Sequence, residues 1–414
     1  MNLIKTSFYT AISTAVSFIS GFIVTKVVAV KIGPAGMAYV GQFQNTVAIL
    51  TMLSTFAISS GVVKYISQYK NDRANQQRVI TTAISIVLIS SFAVSMFVMT
   101  TCVWLSKSTF HNTDYWLAYL LYGVFISIIS LNTVFAAVLN GFKLIKSLTL
   151  VNIISSLCGI AFTVWLAYSK GIIGVLIAVN FSALLIFLAN LYFVSRIDGI
   201  QWRPSFANWD KNMVKMLFAF TLMGLVSGFA LPASQLLVRE RILEKFSEVD
   251  AGCWQGVTRI SDYYLSFIIT VLSVYYLPRL SEINDRLELR HELVKGYRII
   301  LPAVGLLALT IWLLKLWVVH ILFTKEFLPM LPLFKFQLLG DFLKIGSWLL
   351  GFIMIAKGLT KTFIITEILF SALFVLLSYY LMDNFGIVGA TYAFCINYAL
   401  YWITMWLLMK KHFS

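Results

Sequence analysis

The chain has 414 residues, 60% of them hydrophobic and only 12% charged, with a formal net charge of +15. A soluble domain carries about 25% charged residues, so the composition excludes that class and indicates a polytopic membrane protein. The basic excess does not argue for nucleic acid, because most Lys and Arg sit in short segments between apolar runs, as a positive-inside signal does.

Segments apolar and long enough to cross a hydrocarbon core of roughly 30 Å run near 7–30, 41–65, 79–105, 115–139, 148–168 and 171–194. Six more follow near 212–237, 252–280, 297–323, 329–357, 362–381 and 386–410. The reading is all-α, with about twelve transmembrane helices. The first segment shows no small-residue cleavage site, so no cleaved signal peptide is expected. The polar interval 195–211 contains Asp198-Gly199 and Pro204, which are turn formers. It reads as a linker between an N-terminal six-helix bundle over 1–200 and a C-terminal one over 205–414. With the N-terminus inside, the inner segments hold roughly 20 Lys and Arg against 7 in the outer ones. That bias predicts both termini in the cytoplasm. The minimal loops and the lack of an organelle signal suggest a bacterial cell membrane. The longest outer segment, 238–251, is too short for a folded domain.

The halves echo each other about 215 residues apart. Ala35-Gly36 returns as Ala251-Gly252, Ser67 as Ser281, Lys146-Ser147 as Lys361-Thr362, and Gly171-Ile172-Ile173-Gly174 as Gly386-Ile387-Val388-Gly389. Four matches in order suggest a six-plus-six duplication. Bundles so related would share one orientation, with the ligand site between them.

Charges inside spans are costly and therefore informative. Lys26 lies in the first segment, with Gln42 and Asn45 in the second; that half has no acid within its membrane region. In the eighth segment Gln255, Arg259, Asp262, Ser266, Thr270 and Ser273 recur at steps of three or four, which puts them on one helix face. In the tenth, Gln337, Asp341, Lys344 and Trp348 do the same. Glu367 falls near the cytoplasmic end of the eleventh. One reading pairs Arg259 with Asp262 and Asp341 with Lys344 as i,i+3 ion pairs that pack helices. The other sets Lys26 and Arg259 on a cavity as a phosphate clamp, since Arg offers a bidentate fork and Lys a compact charge. An excess of cations at such a cavity implies an anionic ligand. The four cysteines and four histidines have no metal spacing, and no GxxxxGK[ST] loop occurs, so neither metal nor nucleotide cofactor is expected.

Trp254-Gln255-Gly256, Ile260-Ser261-Asp262, Tyr264-Leu265, Tyr276-Leu277-Pro278 and Gly340-Asp341 with Leu343-Lys344 resemble the Wzx-type polysaccharide flippases. So do Lys26, Gly33-Pro34-Ala35-Gly36 and Val63-Lys64-Tyr65 near the front. The resemblance spans nearly the whole chain and implies membership of the multidrug/oligosaccharidyl-lipid/polysaccharide exporter superfamily. It implies two six-helix bundles around a central cleft in the bacterial inner membrane. The implied substrate is an undecaprenyl-diphosphate-linked oligosaccharide, an O-antigen unit or lipid III, moved from the cytoplasmic to the periplasmic leaflet by alternating access. Lys26 and Arg259 would hold the diphosphate. Gln42, Asn45, Trp254, Gln255, Tyr263 and Tyr264 would meet the sugars, and Asp262, Asp341 and Lys344 would complete the cavity. Membrane lipids are implied partners, as are the glycan polymerase and chain-length proteins; nucleic acid is not. The main alternative is a cation-coupled multidrug exporter of the same superfamily, but such proteins commonly use an acid in the first half, which is lacking here. An enzyme of the same pathways would need long periplasmic loops, which are also lacking.

Overall fold

The computed structural model describes residues 3–70, 72–200, 211–283 and 285–410. Of the expected linker, 201–210 lies outside the described residues. The described residues are helical with short turns. Among the described residues, eight helices are long and apolar enough to cross a membrane. Two of these are double: α1 (Leu3–Thr55) bends at Gly33, and α5 (Ile145–Ser195) bends at Gly171. With α6 and α7 described below, this is consistent with about twelve spans.

Two units are distinct by their internal contacts. The first comprises residues 1–32 and 39–232, and the second comprises 33–38 and 233–414. The first therefore extends past the boundary expected near 200, and takes in the part of α6 (Lys211–Lys245) that precedes Pro232.

In the first unit, α2 (Ser59–Gln68), α3 (Arg73–Phe110) and α4 (Trp116–Gly141) pack around Ile58, Val62, Ile66, Ile80, Val134 and Val138, all fully buried. Asp72 caps α3 by accepting from the Asn75 N–H at 3.0 Å; that bond holds its carboxyl below the usual carboxylate range. Hydroxyl pairs join the helices where charge is absent: Ser54 with Ser130 at 2.7 Å, and Thr51 with Tyr122 at 2.7 Å. Such neutral bonds are the usual glue between membrane helices, where water does not compete.

The second unit contains α7 (Glu248–Val271), a π-helical turn over Leu272–Tyr276, α8 (Leu277–Glu282), α9 (Arg286–Leu313), α10 (Lys315–Leu322), a 3₁₀ segment (Lys325–Leu333), α11 (Phe334–Ala356), α12 (Thr360–Phe385) and α13 (Val388–Met409). The π turn sits two to six residues before Pro278, and a proline has no N–H to give a continuous α ladder. Residues 33–38 join this unit at Gly252, where a Cβ would stand 1.9 Å from the Pro34 carbonyl oxygen.

The echo seen in the sequence recurs in backbone geometry. Gly171 and Gly386 both have positive φ, at 62° and 66°. Three residues later, Gly174 lies against the Leu166 carbonyl and Gly389 against the Leu381 carbonyl, so close that a Cβ would stand 2.0 and 2.3 Å from the oxygen. Lys143 and Gly358 share the left-handed region, and the next N–H in each case bonds five residues back, Leu144 to Leu139 and Leu359 to Met354, at 2.9 Å. Each pair is 215 apart in number.

Candidate functional site

Polar side chains in the second unit converge from α6, α7, α11 and α13. The helix α6 continues past Pro232 to Lys245, so only Phe246 and Ser247 separate it from α7. The outer loop expected over 238–251 is therefore mostly helix. This changes Arg239 most. It projects between Val238 and Ile242, both fully buried, and is itself 1% exposed. Its Nη2 donates to Gln255 Oε1, and its guanidinium lies 5.3 Å from the centre of the Trp254 ring. Trp254 and Gln255, expected to meet sugar, are enclosed against Arg239. The signal was present: on a helix at 100° per residue, Arg239 falls in the middle of the apolar face made by Val238, Ile242 and Leu243, opposite Glu240, Arg241 and Glu244.

The face read on α7 runs from buried to open along its length. Gln255 is buried, Arg259 half-buried, and Asp262 exposed. Among the described residues, Asp262 makes no hydrogen bond and no ion pair within 4 Å, so the expected i,i+3 pair with Arg259 is not formed. An ionised carboxylate turned to lipid costs about 3 kcal/mol. This face therefore meets water or a polar ligand.

Asp341, on α11, is in the opposite condition. It is 0% exposed and accepts from the Ser261 hydroxyl at 2.6 Å, the Tyr264 hydroxyl at 2.7 Å and Gln337 Nε2 at 3.4 Å. Ser261 and Tyr264 thus form a second polar edge of α7, aimed into the unit. Tyr264, expected to meet sugar, donates to Asp341. Asp341 and Lys344 form no ion pair within 4 Å either. Glu367 on α12 is half-buried, with the Tyr401 hydroxyl 3.4 Å from its Oε1. In this unit Arg239, Arg259 and Lys344 face Asp262, Asp341 and Glu367, an even balance of formal charge.

The first unit holds Lys26, Gln42 and Asn45 on α1. Lys26 is half-buried, and Gln42 is buried. The Nδ2 of Asn45 is enclosed without a hydrogen-bond partner among the described residues.

Residues 3–284, about two thirds of the chain, match a family described as "Polysaccharide biosynthesis protein". The chain belongs to this family. It is 32% identical over 405 residues to the lipid III flippase of Escherichia coli (strain K12), covering 97% of this chain and 96% of that one. The lipid III flippase of Shigella flexneri matches to the same extent. Among solved structures, an inward-facing multidrug resistance MATE family transporter of the MOP superfamily superposes with a TM-score of 0.81 at 15% identity, over 97% of this chain and 94% of that one. A MOP superfamily transporter from Pyrococcus furiosus, described as having a binding pocket of reverse polarity, gives 0.70 at 13%, over 97% and 95%. This polysaccharide biosynthesis protein thus has the MOP fold, with its membrane acids concentrated in the second half of the chain.

Proposed function

We propose that this protein is a flippase that moves an undecaprenyl-diphosphate-linked oligosaccharide of the lipid III class from the cytoplasmic to the periplasmic leaflet of the bacterial inner membrane. The curated relatives at 32% identity support the substrate class. The observation in the structure that carries the reading is the open, charged face of α7. Its Asp262 is exposed within a span and has no partner within hydrogen-bonding distance, and Arg259 lies one turn before it on the same helix. A face of that kind suits a polar, charged head group, with the polyprenyl tail left in lipid.

The cycle is alternating access, in which the charged face opens to one side of the membrane at a time. Lys26 and Arg259 are proposed to bind the diphosphate, and Gln42 and Asn45 to meet sugar hydroxyls. Asn45 supports this through its enclosed and unbonded amide nitrogen. Both termini are assigned to the cytoplasm by the distribution of Lys and Arg. The glycan polymerase and chain-length proteins of the pathway are its proposed neighbours. The test is expression in an Escherichia coli strain lacking its own lipid III flippase. Restored surface glycan is expected; a chain present in the membrane at normal level that restores none would refute the substrate class.

A further inference from the structure

Lys344 is a buried cation in an unusual setting. It is 7% exposed, yet among the described residues its ammonium has no acid within 4 Å and no hydrogen bond. What surrounds it is aromatic. The ammonium lies 4.9 Å from the centre of the Trp348 ring, 5.6 Å from Tyr398 and 5.8 Å from Phe394. All three lie within the range at which a ring face attracts a cation. Trp348 is one turn along α11 from Lys344, and Phe394 and Tyr398 are one turn apart on α13, packed edge to face at 4.8 Å. The box depends on Gly340: a Cβ there would stand 2.3 Å from the Phe394 ring. Asp341, one turn away, is satisfied by neutral donors and does not claim the ammonium.

A buried ammonium normally secures a carboxylate or several acceptors. This one is held by weaker contacts, while its four-carbon stem leaves it free to turn. The geometry points to Lys344 as a reserve cation. The aromatic box stores it in the empty protein, and an arriving diphosphate draws it out to make a charge-assisted bond that the box cannot match. The inference rests on the flippase reading and adds to it a residue that senses the diphosphate by leaving its cage. The cage therefore competes with the ligand, and weakening it tightens binding.

The experiment titrates inorganic pyrophosphate into the purified full-length protein in detergent, by calorimetry. Lys344→Met should weaken binding about tenfold or more. Trp348→Leu, and separately Phe394→Leu, should tighten it about fivefold by relieving the competition. The pair Lys344→Met with Trp348→Leu should bind like Lys344→Met alone. A structural lysine predicts none of these gains. Wild-type affinity in Lys344→Met, cage variants that bind no tighter, or no binding by the wild type would each overturn the inference. Glycan restoration by the wild type, scored in parallel, keeps the flippase reading standing in any of those cases, while its loss removes that reading together with the inference built on it.

Discussion

Asp262 and Asp341 show how burial decides what an intramembrane carboxylate does. Asp341 is fully enclosed, and Ser261 and Tyr264 both donate to its Oδ2. A hydrogen bond to a charged group is worth roughly 1.5–3 kcal/mol in soluble proteins, whereas polar pairs within membrane proteins average about 0.6 kcal/mol. Enclosure favours the upper range here, because no water replaces a lost donor. A double-mutant cycle between Ser261→Ala and Asp341→Asn, read by thermal unfolding in detergent, should give a coupling of about 1.5 kcal/mol. Coupling below about 0.5 kcal/mol would show that the site rehydrates. The carboxylates themselves were evident in the sequence, since a charge in a span stands out. Their partners were not: Ser261 meets Asp341 across 80 positions, and no local spacing encodes that contact. The i,i+3 spacing of Asp341 and Lys344 suggested an ion pair, but α13 supplies aromatic rings that hold the lysine instead.

Helical elements were legible where hydrophobic length or glycine spacing governs them, and illegible where a helix runs on through polar sequence. The Gly-x-x-Gly echo proved to be a shared backbone device: positive φ at the first glycine, then carbonyl contact at the second. By contrast, the charge-rich stretch from Val238 looked like a loop but is helix as far as Lys245, with Arg239 turned inward. The glycine device makes a sharp contrast within α5. At Gly174 a Cβ would stand 2.0 Å from the Leu166 carbonyl oxygen, and a backbone oxygen cannot move aside by changing rotamer. At Gly159 a Cβ would meet nothing within 4 Å. Gly174→Ala should therefore destabilise by about 3 kcal/mol, at the upper end for overpacking. Gly159→Ala should be neutral or stabilising by up to about 1 kcal/mol, the helix propensity difference. Gly389→Ala should behave like Gly174→Ala, because it meets the Leu381 carbonyl in the same way. Unfolding temperatures of the three purified variants check this. Equal stability of Gly174→Ala and Gly159→Ala would mean that the turn can open at no cost.

At the scale of the whole molecule, the fold is shared with drug transporters at 15% identity, so architecture alone does not select a cargo. Orientation in the membrane rests on a different physical quantity, the placement of positive charge. The sequence count set roughly 20 inner Lys and Arg against 7 outer ones. Arg239 belonged to the outer set, yet it is buried in α6 beside Trp254 and Gln255. A guanidinium packed inside the second unit is not a loop charge at the membrane surface. Removing it from the outer count strengthens the bias toward cytoplasmic termini. A green fluorescent protein fused after Ser414 should therefore fluoresce, because it matures in the cytoplasm, and alkaline phosphatase at the same point should be inactive. The same reporters inserted after Thr324, beside Lys325, should give the reverse result. Active phosphatase at the C-terminal end would place an odd number of crossings in the chain or invert it, and either outcome would remove the orientation on which cytoplasmic loading of the substrate depends.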